Sequence, residues 1–224
     1  MLRSYLLIFL CAFFFSCQRA GDKEVKSTEK SFPLAATCSD SDGNVYPLVG
    51  IGDQVWMAKN LRLTTPDCEA TTTMRFTNGI ERGPGVAFYD GGNRYAYYNN
   101  NPDLVYGVIY SYEAIKQCEL CPSGFRLPTK ADFEELIAQL GGKVPAGQAL
   151  LKSGESGFNA EIGGRIDDYG SVLAGNIGFW WTTEIEDHPV NKLNVYNFEL
   201  SSKGVVIIKP QDSRVGNYVR CIKE

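Results

Sequence analysis

Hydrophobic and polar positions along this 224-residue chain change period several times. The clearest pattern is Phe133, Leu136, Ile137 and Leu140, spaced i, i+3, i+4, i+7. It predicts a helix over residues 130–140 with one apolar face. Thr129 is its natural N-cap, and Asp132 stands three residues on in a short version of a capping box. Asp132, Glu134 and Glu135 put negative charge at the positive end of the helix dipole. Gly141-Gly142 stops the helix, because glycine takes the left-handed conformation without penalty. The preceding stretch, Cys121-Pro122-Ser123-Gly124-Phe125-Arg126-Leu127-Pro128-Thr129, is stiffened by two prolines and is expected to be held in place.

Most other patterned stretches read as strands. Apolar runs at 45–49 and 55–58 lie on either side of Gly52-Asp53 and predict a β-hairpin. Residues 61–78 are threonine-rich and expected to be extended, and the glycines of 79–93 predict a loop. Tyrosine-rich runs follow at 95–98 and 106–112, and a short helix begins at Ala114-Ile115. After the main helix, glycines in 157–165 predict loops crossing between short strands. The strongest strand signal is Phe179-Trp180-Trp181-Thr182-Thr183. Residues 193–200 and 205–208 form an expected antiparallel pair turned at Ser202-Lys203-Gly204, and 218–222 close the domain.

The first residues differ in kind. Arg3 is followed by an apolar run at 5–15, too short to span a bilayer, then by Phe14-Phe15-Ser16-Cys17. This resembles the lipobox of bacterial lipoproteins, with Phe14 where leucine is usual, and makes Cys17 the expected lipidation site. The alternative is an ordinary secretory signal with Cys17 near the cut. Residues 18–31 are polar and rich in Lys, Glu, Ser and Thr, a composition that stays flexible. The expected organisation is a lipoprotein signal peptide at 1–16, a lipidated tether at 17–32 and one domain at 33–224. The expected location is the cell envelope, lipid-anchored in the outer membrane.

Composition narrows the partners. The 12 Tyr, 12 Phe and 23 Gly lean toward strands and turns. A net charge of −4 without a basic cluster argues against nucleic acid. Seven cysteines are present. With Cys11 removed and Cys17 lipidated, Cys38, Cys68, Cys118, Cys121 and Cys221 remain, read as two bridges and a spare thiol. Cys121–Cys221 and Cys38–Cys68 are the expected pairs. A redox role for Cys118-x-x-Cys121 is disfavoured, since the helix starts several residues later. One histidine and no second C-x-x-C argue against zinc. Asp40, Asp42 and Asn44 have the alternate spacing of a calcium loop, but the glycine is misplaced and no glutamate follows at position twelve. No metal or other cofactor is expected.

In this order the pieces resemble the Fibrobacter succinogenes major paralogous domain, common in exported proteins and lipoproteins. The matching stretches are Asp42-Gly43-Asn44-x-Tyr46, Ile51-Gly52-x-Gln54-x-Trp56-Met57-Ala58-x-Asn60-Leu61, Tyr106-Gly107-x-x-Tyr110 and the segment from Cys121 to Thr129. Gly157-Phe158, Gly163-Gly164-Arg165, Phe179-Trp180-Trp181 and Val219-Arg220-Cys221 continue the match. Phe125 stands where the family usually has Trp, and Trp181 where a small residue is common. The resemblance implies an α+β, C-type lectin-like domain: small antiparallel sheets, about two flanking helices and long irregular loops. It implies no activity.

Candidate chemistry is sparse. His188 is the single histidine, and no serine sits in a nucleophile elbow. Asp167-Asp168 and Glu184 with Glu186 are the acid pairs a glycosidase reading needs, but neighbouring acids on loops are usually just solvated. A non-enzymatic role is therefore expected, in which a lectin-like domain binds a glycan or a surface protein. The alternative is a structural or adhesive component of a cell-surface assembly. Tyrosine faces beside amides suit sugars, so Tyr97, Tyr98 and Asn99, with Trp181, are the candidate ligand-binding residues. Arg126, Trp56, Trp180 and Arg220 are expected to be structural. For Arg126, the guanidinium is expected to tie loop carbonyls or a carboxylate into the fold.

Overall fold

The first apolar runs fold as expected. In the computed structural model, β1 (Thr37–Ser39), β2 (Val45–Ile51) and β3 (Gln54–Met57) form a meander whose second turn is Gly52-Asp53, with Ile51 opposite Gln54. Gly52 has a φ of +58°, which a two-residue hairpin turn requires. The structure describes residues 36–66, 72–73, 94–98, 101, 106–167, 170–186 and 193–224. The further strands are β4 (Thr72–Thr73), β5 (Arg94–Ala96), β6 (Ile109–Ser111), β7 (Phe125–Arg126), β8 (Arg165–Asp167), β9 (Gly170–Val172), β10 (Ile177–Glu186), β11 (Asn194–Ser201), β12 (Val206–Asp212), β13 (Gly216–Tyr218) and β14 (Ile222–Lys223). The expected 79–93 loop lies outside the described residues, as does His188.

These strands form two sheets. The first runs β1-β2-β3-β14-β7, so the last strand lies between the first hairpin and the motif strand, with Ile222 opposite both Trp56 and Arg126. The second follows the path β12-β11-β10-β13-β6-β5-β4, with β8 and β9 added beside β13. It is larger than the small sheets expected, because β13 pairs with β10, β6 and β8 at once. The architecture is mostly β with short helices. Elements from both sheets belong to one compact unit, Ser31–Glu224.

Three helices are described, against the two expected: α1 (Tyr112–Gln117), α2 (Lys130–Gln139) and α3 (Lys143–Leu150). The patterned helix is α2. Thr129 accepts from the Asp132 N–H, and the Asp132 carboxylate accepts from the Thr129 N–H, a complete capping box. The unforeseen helix is α3, whose Pro145 and Gly147 read as breakers. Pro145 sits in the first turn, where a missing N–H costs nothing. Gly147 is needed for contact: a Cβ there would lie 1.8 Å from the Gly204 carbonyl oxygen in the β11–β12 turn.

The main core lies between α2, α3 and the sheets, around Trp56, Phe133, Phe158, Trp180, Phe198 and Tyr218. Phe133 stacks on Phe198 with centroids 4.4 Å apart and packs on Trp56 at 5.0 Å. A second core on the opposite side gathers Tyr46, Tyr110, Tyr112, Trp181, Val195 and Cys221.

Candidate functional site

Four of the residues that carry the family resemblance, Asn60, Phe158, Trp180 and Arg220, converge on one buried junction. Arg220 is fully buried, and its guanidinium donates to Asn60 Oδ1 from Nη2 at 2.8 Å and from Nε at 3.1 Å. Trp180 Nε1 donates to the same oxygen at 2.7 Å, and Asn60 Nδ2 donates to the Tyr106 carbonyl at 2.7 Å. Arg220 also donates to the Phe158 carbonyl and lies 4.3 Å above the Phe158 ring. Glu161, 3.7 Å away, is the ion partner that makes burial of this charge tolerable. Burial pulls the Arg220 pKa down to about 10 against the pull of Glu161, so it stays charged at neutral pH. Burial pushes the Glu161 carboxyl up, opposed by Arg220.

A second junction holds the start of α2. Arg126 grips Asp132 with both arms, Nη1 to Oδ2 at 2.6 Å and Nη2 to Oδ1 at 2.9 Å, and its Nη1 also donates to the Leu127 carbonyl. This is the fork expected of Arg126. Burial raises the Asp132 pKa, but hydrogen bonds from Arg126 and Thr129 outweigh it and leave the carboxyl below its ordinary value. Gln54 Nε2 donates to the Asp132 carbonyl while Gln54 Oε1 accepts from Trp56 Nε1, which ties the hairpin to α2. The β10–β11 register shifts between Trp181 and Ile185. In that bulge the Thr183 N–H bonds the Pro128 carbonyl, and the Glu184 carboxylate accepts from the Lys130 N–H at the positive end of α2.

The sequence-predicted ligand residues do not form one site. Trp181 is fully buried, with Nε1 donating to the Tyr110 carbonyl at 2.9 Å, so it is a core residue and not a binding surface. Its strand turns that ring inward, onto Tyr112. Tyr98 is half-buried, packed edge-on against Tyr106, and its hydroxyl accepts from the Ala174 N–H. The two tyrosines pack on different cores, Tyr98 on the main one and Tyr97 on the second. Asn99, Cys17, Cys68 and Asp168 lie outside the described residues. Of the proposed acid pairs, Glu184 holds α2 and Glu186 accepts from Asn194 Nδ2. Asp167 lies 3.4 Å from Arg165. Asp40 and Asp42 are also in use: Asp40 accepts from Asn44 and Tyr46, and Asp42 from Thr64 and Thr65.

The cysteines correct one pairing. Cys121 and Cys221 are bonded across 100 residues of sequence, as expected. Cys38 is a free, half-buried thiol and is not bridged to Cys68, whereas Cys118 is disulfide-bonded. Spacing along a chain does not report which thiols meet. Cys38 lies on β1, opposite Tyr46, and burial followed by the charge of Asp40 pushes its pKa up to about 11.

What sequence reasoning missed is the far side of the second sheet. Residues alternate along β10, β11 and β12, so Trp180, Phe198 and Ile208 face the main core. Phe179, Glu199, Asn197, Lys209 and Gln211 leave by the opposite face, which they share with Trp181 and Val195 of the second core. Asn217 does the same on β13, since its neighbour Tyr218 is in the main core, and Arg165 lies 4.8 Å above the Phe179 ring. Asn197 Nδ2 donates to Gln211 Oε1 at 2.7 Å and to Glu199 Oε1 at 3.2 Å, and Lys209 sits 3.1 Å from that carboxylate. Among the described residues, six buried side-chain polar atoms have no hydrogen-bond partner. Five are on this strip: Asn197 Oδ1, Gln211 Nε2, both polar atoms of Asn217 and Arg165 Nε. Buried polar groups normally find partners, so their concentration on one face marks it as the candidate binding surface. The signal in the sequence was polar residues alternating with core residues in 194–212, which reads as an ordinary solvated sheet face.

Two surface depressions lie elsewhere. One of 380 Å³ is lined by the 118–127 loop and Glu224. Arg126 borders it with its guanidinium already paired to Asp132. The other, of 350 Å³, is lined by Leu151, Lys152, Ser153, Ala160, Ile162 and Ser202. Among the described residues no group of three or more His, Cys, Asp or Glu side chains is placed to hold a metal ion. In comparisons with known proteins, the family model described as Fibrobacter succinogenes major domain matches residues 49–223. No curated protein and no solved structure matches the chain.

Proposed function

The chain belongs to the Fibrobacter succinogenes major domain family, and from that premise we propose that it is a lipid-anchored protein of the cell envelope whose C-type lectin-like domain binds a glycan without catalysing a reaction. The observation that carries binding is the polar strip on β10–β13. Its amides have hydrogen-bonding groups left over, while the Phe179 ring beside them is buried beneath Arg165. Amides with a free donor and a free acceptor are what sugar hydroxyls need. The non-catalytic part is supported by how the acids are engaged. Glu184 and Asp132 hold the start of α2, Glu161 balances Arg220, and Glu186 holds Asn194. A glycosidase needs two carboxyl groups flanking one open cleft.

A glycan array probed with the mature chain tests binding. Selective hits are expected; a blank array overturns the reading in favour of a structural component of a surface assembly. Anchoring is tested separately with labelled palmitate. The wild type should incorporate it and Cys17→Ser should not, whereas equal labelling removes the lipid anchor from the proposal.

A further inference from the structure

The polar strip contains one pair of groups whose chemistry is more specific than the rest. Asn197 on β11 and Gln211 on β12 are diagonal neighbours on one face, since Asn197 pairs with Lys209 and Gln211 with Val195. Each amide offers an acceptor oxygen and a donor NH2. One bond joins them, from Asn197 Nδ2 to Gln211 Oε1 at 2.7 Å. The other arm of each is unpartnered: Asn197 Oδ1 needs a donor, and Gln211 Nε2 needs an acceptor. Asn197 is fully buried, and Gln211 is half-buried on the outer strand of the sheet.

We propose that the Asn197–Gln211 amide pair is a subsite for one hydroxyl group of a neutral sugar. This rests on the glycan reading above. A hydroxyl is the simplest group that meets both needs at once, donating its hydrogen to Asn197 Oδ1 and accepting from Gln211 Nε2. A carboxylate brings no donor, an ammonium brings no acceptor, and inorganic phosphate brings its O–H donor only together with a net negative charge. The charges nearby do not favour an anion either, because Lys209 is already committed to Glu199 at 3.1 Å and Arg165 faces Asp167. Pro210 and the exposed Lys209 make β12 a poor template for another strand. Both unpartnered atoms are buried, and Gln211, half-buried on the edge strand, is the side from which a small ligand would approach. A lone water meets the same two needs, so the test must read sugar at these two side chains.

The measurement uses the mature chain labelled with ¹⁵N, following the side-chain NH2 signals of Asn197 and Gln211. Glucose, galactose, mannose and N-acetylglucosamine are titrated in turn, with inorganic phosphate and glucuronate as anionic probes. Both signals are expected to shift saturably with at least one neutral sugar and to stay still with phosphate. Gln211→Glu, which replaces the donor by an oxygen, should weaken that sugar by about tenfold or more, the loss of one well-made polar contact. The buried carboxylate beside Glu199 also lowers the unfolding midpoint, so the loss is read at a temperature where the variant's ¹⁵N spectrum is that of the folded chain. If an array-positive sugar shifts other residues and leaves these two still, the subsite is wrong and the glycan reading stands. If no sugar shifts any signal and the array is blank, both fail. Equal shifts with phosphate overturn the assignment to a hydroxyl, and shifts with glucuronate but with no neutral sugar overturn the assignment to a neutral one.

Discussion

The Asn60 side-chain oxygen and the Arg220 guanidinium meet at 2.8 Å across 160 residues of sequence. Trp180 donates to the same oxygen, so one acceptor links β10, the segment after β3 and the segment before β14. Asn60→Ala removes that acceptor and leaves Trp180 Nε1 and two guanidinium N–H groups buried and unpaired. A cost of about 2–3 kcal/mol is expected, in line with hydrogen bonds to charged groups. Arg220→Met leaves the Glu161 carboxyl without its cation and should cost about 3–5 kcal/mol, as for a broken buried ion pair. Urea unfolding of both variants checks this, and a loss under about 0.5 kcal/mol in both contradicts the junction's structural role.

Cys121–Cys221 ties the loop before α2 to the segment before the last strand across 100 residues. Cys221→Ala is expected to lower stability by about 2–5 kcal/mol. Peptide mass mapping should recover Cys121 with Cys221, and recovery of Cys118 joined to Cys121 contradicts the structure.

Cys38 should behave as a silent thiol. Its pKa of about 11 leaves almost no thiolate at neutral pH. Iodoacetamide at pH 8 is expected to label Cys38 slowly in the native chain and rapidly in urea. Equal rates in the two states would show that the folded chain does not protect it.

Much of the fold was legible because its signals are local. The capping box at Thr129, the Gly52-Asp53 turn and the spacing of Phe133, Leu136, Ile137 and Leu140 all act within a few residues. Helix α3 was not legible, because Pro145 and Gly147 look like breakers until Gly147 is seen against the Gly204 carbonyl. Trp181 looked like a ligand residue because its composition fits one. Only the direction of β10 reveals that it points into the second core. The polar strip was hidden for a related reason: Arg165, Asn197, Gln211 and Asn217 are spread over four strands, and only sheet pairing brings them to one face. The Cys38–Cys68 expectation failed because nothing local selects among five thiols.

Acid should weaken the grip at α2. The Asp132 carboxyl lies below its ordinary value of 3.8, with the hydrogen bonds from Arg126 and Thr129 overcoming burial. A depressed acid stabilises the fold above its unfolded value, and that contribution disappears as pH falls through the folded value. Glu161 has the opposite sign, since burial raises it and its protonation favours the folded state. Asp132→Asn isolates the first effect. The wild type's stability advantage over Asp132→Asn should shrink as pH drops from about 4 to about 2, as the pH falls from the unfolded value through the lower folded one. Parallel curves contradict it.

The central claim is that the motif residues build the fold while recognition lies on the strip of β10–β13. Glycan arrays and melting curves of the wild type, Arg126→Lys and Gln211→Glu test it together. The account predicts that Arg126→Lys melts lower and keeps every hit, because lysine cannot reproduce the two-armed contact with Asp132. Arg126 is 41% exposed, so the drop should be smaller than for Arg220→Met. Gln211→Glu should remain folded at the array temperature and lose hits. An Arg126→Lys variant that melts like the wild type but loses its glycans would place recognition at the 118–127 loop and contradict the account.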